Sequence, residues 1–243
     1  MTTASGSGLQ QAISRDGFAF VKSGAMRELL TPHGALTDWS AFAGSWNHLE
    51  LDTYMADGGR YRKRRYAAYE VTGGRLSRKP HQPHFQAIDY NPLNGGIARW
   101  FEPIGEDVGR GASMTAILGF CRSLFDSLAP GTPAWQIEAH QFRIEARRGE
   151  EGRPTPEGLH RDGVDYVLVL LVDRRNIASG MTRIHALDGP PLGHFTLTDS
   201  LDAALVDDTR VAHGVTPVEP IDPQQPAYRD VLVVTFRKDA VKS

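Results

Sequence analysis

The second half of the sequence, from Ala134 to Arg237, alternates short apolar segments with turn residues. Turn pairs such as Asp188-Gly189 and Asp207-Asp208 separate these segments from one another. The candidate strands cover residues 134–146, 162–172, 181–187, 194–198, 203–207, 211–218 and 228–237. Many short strands joined by turns bury their apolar faces best by packing sheet against sheet. We therefore predict a mainly β (α+β) fold of the β-sandwich or jelly-roll type.

The first half of the sequence has the spacing of helices instead. Ser23 is suited to cap a helix that continues to Leu30. Aromatic residues repeat at helical spacing after Thr37, and a longer apolar stripe runs from Ile117 to Leu128. The sequence therefore predicts a helical layer that precedes the β part of the fold.

Composition excludes several classes of protein. The 27 basic and 29 acidic residues nearly balance, which disfavours binding to nucleic acid or to an anionic membrane. The single cysteine, Cys121, excludes an internal disulfide and suits a reducing compartment. No secretory signal is visible, and the longest apolar run, Tyr166 to Val172, is too short to span a bilayer. We expect one cytoplasmic domain over residues 1–243, in which residues 1 to about 10 form a disordered leader.

A possible metal site lies at Gly158-Leu159-His160-Arg161-Asp162-Gly163, directly before the longest apolar run. If this segment is a strand, His160 and Asp162 project from the same face. His213, 51 residues after Asp162 on another strand candidate, is the candidate for a third ligand. Two imidazoles and one carboxylate are the donors that hold non-haem Fe(II) and leave adjacent positions open. Arg229, which begins the last strand candidate, could then bind a carboxylate of a dicarboxylate cosubstrate.

Other interpretations of these residues stay open at this point. The histidines could be hydrogen-bonded core residues, and Asp162 could cap a turn. A zinc hydrolase could use the same ligands, although Arg229 would then have no role. His81 and His84 lie in a proline-rich loop, and we expect both to be solvated.

Several blocks of the sequence together resemble one protein family. They are Gly59-Arg60-Tyr61-Arg62-Lys63-Arg64-Arg65-Tyr66, Tyr90-Asn91-Pro92-Leu93-Asn94-Gly95-Gly96, His140-Gln141-Phe142-Arg143, Gly158 to Gly163, His213-Gly214-Val215-Thr216-Pro217 and Tyr228 to Arg237. The family is that of the bacterial Fe(II)/2-oxoglutarate dioxygenases typified by L-isoleucine 4-hydroxylase. The resemblance implies a double-stranded β-helix (jelly roll), iron ligands at His160, Asp162 and His213, and 2-oxoglutarate held by Arg229, with Arg237 as second choice.

The resemblance also implies an activity, namely hydroxylation of an unactivated C–H bond of a free, aliphatic L-amino acid with O₂ as oxidant and succinate and CO₂ as coproducts. Such a substrate needs a guanidinium for its carboxylate and an acid for its ammonium group. Arg143 and Arg65 are candidates for the first role, and Glu138 and Glu157 for the second. Ser179-Gly180-Met181 replaces a run that is often Gly-Gly-Glu-like in the family, so we expect a different amino acid specificity if this run borders the pocket.

Two alternatives to a small-molecule hydroxylase stay open. One is the same chemistry on a protein side chain or another macromolecule. The other is a non-catalytic jelly-roll binding module, in which iron would bind weakly or not at all.

Overall fold

The computed structural model describes residues 6–90, 93 and 95–239. Its α-helices are α1 (Gly6–Asp16), α2 (Ser23–Leu30), α3 (Trp39–Gly44), α4 (Glu106–Gly109) and α5 (Ala112–Leu128), and 3₁₀ turns cover Thr31–His33 and Ser45–His48. The predicted helical layer is therefore confirmed. Within the described residues, no helix is long and apolar enough to cross a membrane.

The predicted N-terminal leader is wrong for residues 6–10, because α1 begins at Gly6. Leu9 and Ile13 lie one helical turn apart and are both buried, so this short helix is held by an apolar face. Gln10 also donates a hydrogen bond of 2.9 Å to the carbonyl of Ser127 in α5. Residues 1–5, the rest of the predicted leader, lie outside the described residues.

The strands form one large antiparallel sheet and three smaller ones. They are β1 (Phe18–Val21), β2 (Glu50–Leu51), β3 (Arg62–Thr72), β4 (Arg75–Arg78), β5 (His84–Phe85), β6 (Ala98–Arg99), β7 (Ala134–Ala146), β8 (Tyr166–Arg175), β9 (Ile177–Ser179), β10 (Met181–Ala186), β11 (Pro191–Thr196), β12 (Ala203–Asp207), β13 (Val211–Val215), β14 (Val218–Pro220) and β15 (Ala227–Lys238). The large sheet has the order β1-β12-β8-β15-β7-β3-β2, with β4 paired to β3. The smaller sheets are β11-β10-β13, β14-β9 and β5-β6.

Alternation along the central strands separates a helix-facing side of the large sheet from a cavity-facing side. In β7, the side chains of Trp135, Ile137 and Ala139 belong to the main apolar core, which includes residues of α1, α2, α3 and α5. Their even-numbered neighbours, such as Glu138 and His140, line a cavity on the other side. The buried Cys121 of α5 lies in the same apolar core. The helical layer thus supports the sheet from behind and leaves the opposite face for the site.

Two of the predicted strands differ from the structure near the predicted metal site. The segment predicted as a strand from residue 162 becomes β8 only at Tyr166. Residues 162–165 are irregular because Gly163 adopts a left-handed conformation (φ 78°) and the backbone amides there bond a side chain instead of a strand. The segment predicted over 211–218 divides into β13 and β14.

Candidate metal centre and cavity

A cavity of about 280 Å³ lies between the inner face of the large sheet and β13. This volume is close to the lower end of the roughly 300–1,000 Å³ that is usual for small-ligand sites. The side chains of His160, Asp162 and His213 line the cavity, as do those of Arg229 and Arg237. The predicted metal ligands and both candidate arginines for the cosubstrate are therefore brought to one cavity from segments that are distant in the sequence.

The three predicted metal ligands meet around one point. The Nε2 atoms of His160 and His213 lie 3.6 Å and 3.5 Å, respectively, from the two carboxylate oxygens of Asp162. One donor atom from each of these residues lies within 4.8 Å of the other two, which is close enough for a single ion to be shared. The donor set is two imidazole nitrogens and one carboxylate oxygen, and it fits Fe(II) in a site with open positions.

The three residues of this group are positioned by separate backbone contacts, and not by one continuous strand. His160 and His213 form an isolated antiparallel bridge. The His160 Nδ1 lies 3.1 Å from the carbonyl of Gly158, and donation of this hydrogen bond leaves Nε2 free to accept a metal. A Cβ atom at Gly214 would lie 2.8 Å from that same carbonyl, so only glycine allows the two segments to approach this closely.

A buried carboxylate that the sequence did not single out holds the loop that carries Asp162. The side chain of Asp208 accepts hydrogen bonds from the backbone amides of Asp162 (2.9 Å), Gly163 (2.8 Å) and Val164 (3.1 Å). Asp208 is fully buried, and its Oδ1 is 4.0 Å from the Nδ1 of His213, which has no hydrogen-bond partner in the described parts of the chain. The pair Asp207-Asp208 was predicted only as a turn, and no local sequence pattern distinguishes this role.

The charges of the group favour a cation. Burial lowers the pKa of His160, but the hydrogen bond and charge of Asp162 and the charge of Glu157 outweigh it and raise the pKa to about 9. Burial and the charge of His160 lower the pKa of His213 to about 4. Although burial opposes it, the two histidines hold the pKa of Asp162 below its usual value. Several buried carboxylates thus surround the two imidazoles, and a metal ion would balance their charge.

A second group of possible ligands, His84, Glu138 and His140, does not favour a cation. One donor atom from each lies within 4.8 Å of the others. Glu138, however, already accepts a hydrogen bond of 2.8 Å from Tyr66 and lies 3.0 Å from the His84 Nδ1. The Arg64 guanidinium lies 2.7 Å from the His140 Nδ1 and donates a hydrogen bond to that nitrogen. Burial, with the charges of Arg64 and His84, lowers the pKa of His140 to about 3 although Glu138 opposes this. The group is a hydrogen-bonded network in a positively charged surrounding.

The predicted solvation of the loop histidines is correct for one of them and wrong for the other. His81 is exposed, whereas His84 is only 8% exposed because β5 turns it toward Glu138. In the segment that follows these histidines β5 pairs with β6, and Asn91, Pro92 and Asn94 lie outside the described residues.

Arg229 lies at the cavity with unused hydrogen-bonding capacity. It is 2% exposed, and its Nε and Nη2 atoms have no hydrogen-bond partner within the described part of the chain. Burial and the nearby charge of Arg174 lower its pKa to about 10, so the guanidinium still carries its charge at neutral pH. Arg237 also lines the cavity but is exposed, and it lies eight residues or roughly 26 Å further along β15. A buried, unpaired guanidinium fits an incoming carboxylate, which favours Arg229 over Arg237.

The two arginines predicted to bind the substrate carboxylate do not line the cavity. Arg143 pairs with Asp230 through two hydrogen bonds of 2.8 Å and 2.6 Å, and Arg65 lies on the opposite face of β3 from Arg62 and Arg64. Arg62 and Arg64 line the cavity in their place. The prediction was wrong because alternation along a strand decides which side chains share a face, but not which face points inward.

The two predicted acids, Glu138 and Glu157, both line the cavity. Arg99 in β6, which no sequence motif indicated, lines it as well. The run Ser179-Gly180-Met181 forms the connection between β9 and β10 and does not line the cavity. Its departure from the family pattern therefore does not alter the wall of the cavity directly.

Known proteins match the chain over most of its length. A sequence profile of the family described as 2OG-Fe dioxygenase matches residues 43–235. The chain is 26% identical over 239 residues to a 3(1)-hydroxy-L-isoleucine 4-dioxygenase of Pantoea ananatis (strain AJ13355). The aligned residues cover 95% of this chain and 96% of that protein.

Solved structures share the fold. A bsmA homologue from Methylobium petroleophilum PM1 has a TM-score of 0.89 at 37% sequence identity, over 100% of this chain and 96% of that one. IDO from Bacillus thuringiensis has a TM-score of 0.77 at 20% identity, over 97% of this chain and 100% of that one. The Fe(II)/α-ketoglutarate-dependent dioxygenase TqaL also has a TM-score of 0.77, at 19% identity, over 98% of this chain and 88% of that one. With the antiparallel sheets described above, these likenesses confirm the predicted mainly β, jelly-roll fold.

Proposed function

The chain belongs to the 2OG-Fe dioxygenase family, and we propose that it hydroxylates an unactivated C–H bond of a free, aliphatic L-amino acid. The protein is an enzyme, and its cofactors are Fe(II), 2-oxoglutarate and O₂. This membership confirms the family resemblance and favours an enzyme over the non-catalytic binding module. In the reaction, one oxygen atom of O₂ enters the substrate as hydroxyl and the other enters succinate, while 2-oxoglutarate loses CO₂.

The observation that carries the proposal is the convergence of His160, Asp162 and His213 at the cavity that Arg229 also lines. In the proposed enzyme the three residues hold Fe(II), which supplies the oxidising chemistry when it is bound. Arg229 binds the far carboxylate of 2-oxoglutarate, because its Nε and Nη2 atoms have no partner among the described residues. The role of the chain is to orient both reactants and to exclude water from them.

The small volume of the cavity supports a free amino acid as substrate. About 280 Å³ suits a dicarboxylic acid and a small second molecule. The cavity offers both guanidinium and carboxylate side chains, which is the charge pattern that an amino acid needs at its head group. The relative from Pantoea ananatis is named for its action on 3(1)-hydroxy-L-isoleucine, a free amino acid. A macromolecular substrate is less well supported, because the net charge of −2 does not favour nucleic acid.

Succinate release tests the proposal. The enzyme, supplied with Fe(II), ascorbate and 2-oxoglutarate, is incubated with each standard L-amino acid and with hydroxylated isoleucines, and mass spectrometry follows the gain of one oxygen in the substrate. We expect stoichiometric succinate and hydroxylated product with one or more aliphatic amino acids. Succinate formation that no free amino acid stimulates, but that a peptide does, would contradict the proposed substrate class.

A further inference from the structure

Two side chains of opposite charge line the cavity with atoms that no protein group satisfies. Arg99 is 2% exposed, and its Nε has no hydrogen-bond partner within residues 6–90, 93 and 95–239. The side chain of Glu157 is 10% exposed, and within the same residues its Oε2 likewise has no partner. Burying a charged group with unsatisfied atoms is unfavourable, so such atoms indicate where a ligand would compensate.

Different parts of the fold deliver these two residues. Arg99 lies opposite His84 in the β5–β6 pair, which places it beside the Glu138 network. Glu157 lies on the segment from Gly152 to His160. Gly152 joins this segment to Val218 of β14 through hydrogen bonds of 2.9 Å and 2.8 Å, and His160 joins it to His213 of β13. The Oε1 atom of Glu157 is 3.6 Å from the His160 Nε2. Glu157 is thus adjacent to the proposed metal centre, whereas Arg99 reaches the cavity from the β5–β6 pair.

The neighbouring charged groups already have partners. Arg62 forms an ion pair of 2.7 Å with the buried Asp52, and Arg64 contacts His140. Glu138 is bonded by Tyr66 and by His84, as described above. The Nε of Arg64 also has no partner within the described residues, but another nitrogen of that guanidinium already contacts His140. With Arg229 assigned to the cosubstrate, Arg99 and Glu157 are an oppositely charged pair that lines the cavity with unpartnered atoms.

Arg99 and Glu157 line the same cavity, and within the described residues no ion pair joins them. Burial is the main influence on the Arg99 pKa and lowers it, while the charge of Glu157 is among those that oppose this. An α-amino acid carries a carboxylate and an ammonium group on one carbon atom, so a single molecule of this kind offers a partner to each of the two side chains.

We propose that Arg99 binds the α-carboxylate, and Glu157 the α-ammonium group, of a free α-amino acid. This inference rests on the proposed function and narrows it. Both ends of the amino acid must be free, so amides, N-acyl derivatives, simple amines and residues within a peptide are poor substrates. Since Glu157 adjoins His160, the α-ammonium end lies nearer to the metal ligands and Arg99 determines the direction of the carboxylate.

The proposal is tested by removing the charge of Arg99 or Glu157 in the protein and the matching charge in the ligand. Wild type and Arg99→Gln are each loaded with Fe(II) and 2-oxoglutarate without O₂, and binding of L-isoleucine and of L-isoleucinamide is measured by calorimetry; if the screen selects another amino acid, that acid and its amide replace them. Wild type should prefer the acid by about 10- to 100-fold, the size of one charged hydrogen-bonded contact. In Arg99→Gln this preference should disappear. Glu157→Gln should likewise lose the preference of wild type for the amino acid over the corresponding 2-hydroxy acid.

Arg99→Lys and Arg65→Gln complete the design. Lysine keeps the charge without the planar fork, so Arg99→Lys should retain a reduced preference for the acid. The same binding comparison is made with Arg99→Lys if Arg99→Gln does not fold. Arg65 is on the opposite face of β3, so Arg65→Gln should behave as wild type. Equal weakening of acid and amide binding in Arg99→Gln, or no weakening, would overturn the assignment. That result differs from failure of the proposed function, in which no free amino acid would stimulate succinate formation by wild type.

Discussion

His160 and His213 exchange both backbone hydrogen bonds, each of 2.9 Å, although 53 residues separate them. Residues that are directly opposite in an antiparallel bridge project their side chains to the same side. The distance between the two imidazoles therefore depends on main-chain pairing and not on side-chain flexibility. Their ring centroids are 4.7 Å apart, so the position of two ligands exists before a metal binds.

Loss of the proposed metal ligands should abolish both binding and turnover. His160→Ala and Asp162→Ala remove one donor each, and we expect loss of bound iron by elemental analysis together with loss of substrate-stimulated 2-oxoglutarate decarboxylation. His81→Ala, which alters an exposed histidine away from the cavity, is the matched control. A His160→Ala protein with full iron content and activity would disprove the ligand assignment.

The second histidine group should not hold the iron. In His84→Gln we expect one equivalent of iron per chain, as in wild type, because His84 bonds Glu138 in a network surrounded by guanidinium groups. Elemental analysis of the purified variant provides the measurement. A loss of iron as complete as in His160→Ala would instead place the metal at this group.

The two candidate arginines for 2-oxoglutarate can be separated by kinetics. Arg229→Gln should raise the KM for 2-oxoglutarate by about 10- to 100-fold, since one buried charge-assisted contact is lost. Its iron content should be unchanged. Arg237→Gln, which changes an exposed side chain, should alter this KM by less than about threefold. The opposite order of effects would exchange the two assignments.

Asp208 should act on the metal centre by positioning its loop. Asp208→Asn keeps the shape of the side chain but replaces one acceptor oxygen with a donor, so the three amide bonds to residues 162–164 cannot all persist. We expect iron affinity to fall about 10- to 100-fold, measured by metal titration. Asp207→Asn, at the neighbouring position, is the control. Unchanged iron affinity in Asp208→Asn would show that the contacts to Asp208 only stabilise the fold.

The buried ion pairs of Asp52 should make stability depend on pH in the acid range. Burial raises the pKa of Asp52, but Arg62 and Arg64 outweigh it and hold the pKa below 3.8. The unfolded chain therefore binds the proton more readily, so this contribution to stability is present above about pH 4 and is lost as pH falls through the folded-state pKa. Urea unfolding of Asp52→Asn should show a deficit at pH 7 that shrinks below pH 4. A deficit that is constant with pH would contradict this.

Much of the chain's local structure follows from its sequence, because periodicity and turn residues report directly on helices and strands. Helix α2 ends at the predicted Leu30, although Lys22 and not Ser23 is its N-cap, and β7, β12 and β15 lie within a residue or two of prediction. The ligand types at the metal centre follow in the same way, because imidazole and carboxylate donors are chemical properties of single residues. His160, Asp162 and His213 could therefore be proposed before any geometry was known.

Only the tertiary structure decided which charged side chains share the cavity. Arg65 and Arg64 are adjacent in sequence, yet they lie on opposite faces of β3, and Arg143 is engaged by Asp230 on the neighbouring strand. Arg99 and Glu157 are brought to the same cavity from segments 58 residues apart. Which charged side chains line the cavity depends on the register between distant strands and on the sheet face that the helical layer covers. Neither property is contained in the alternation of a single strand, which is the same whichever face turns inward.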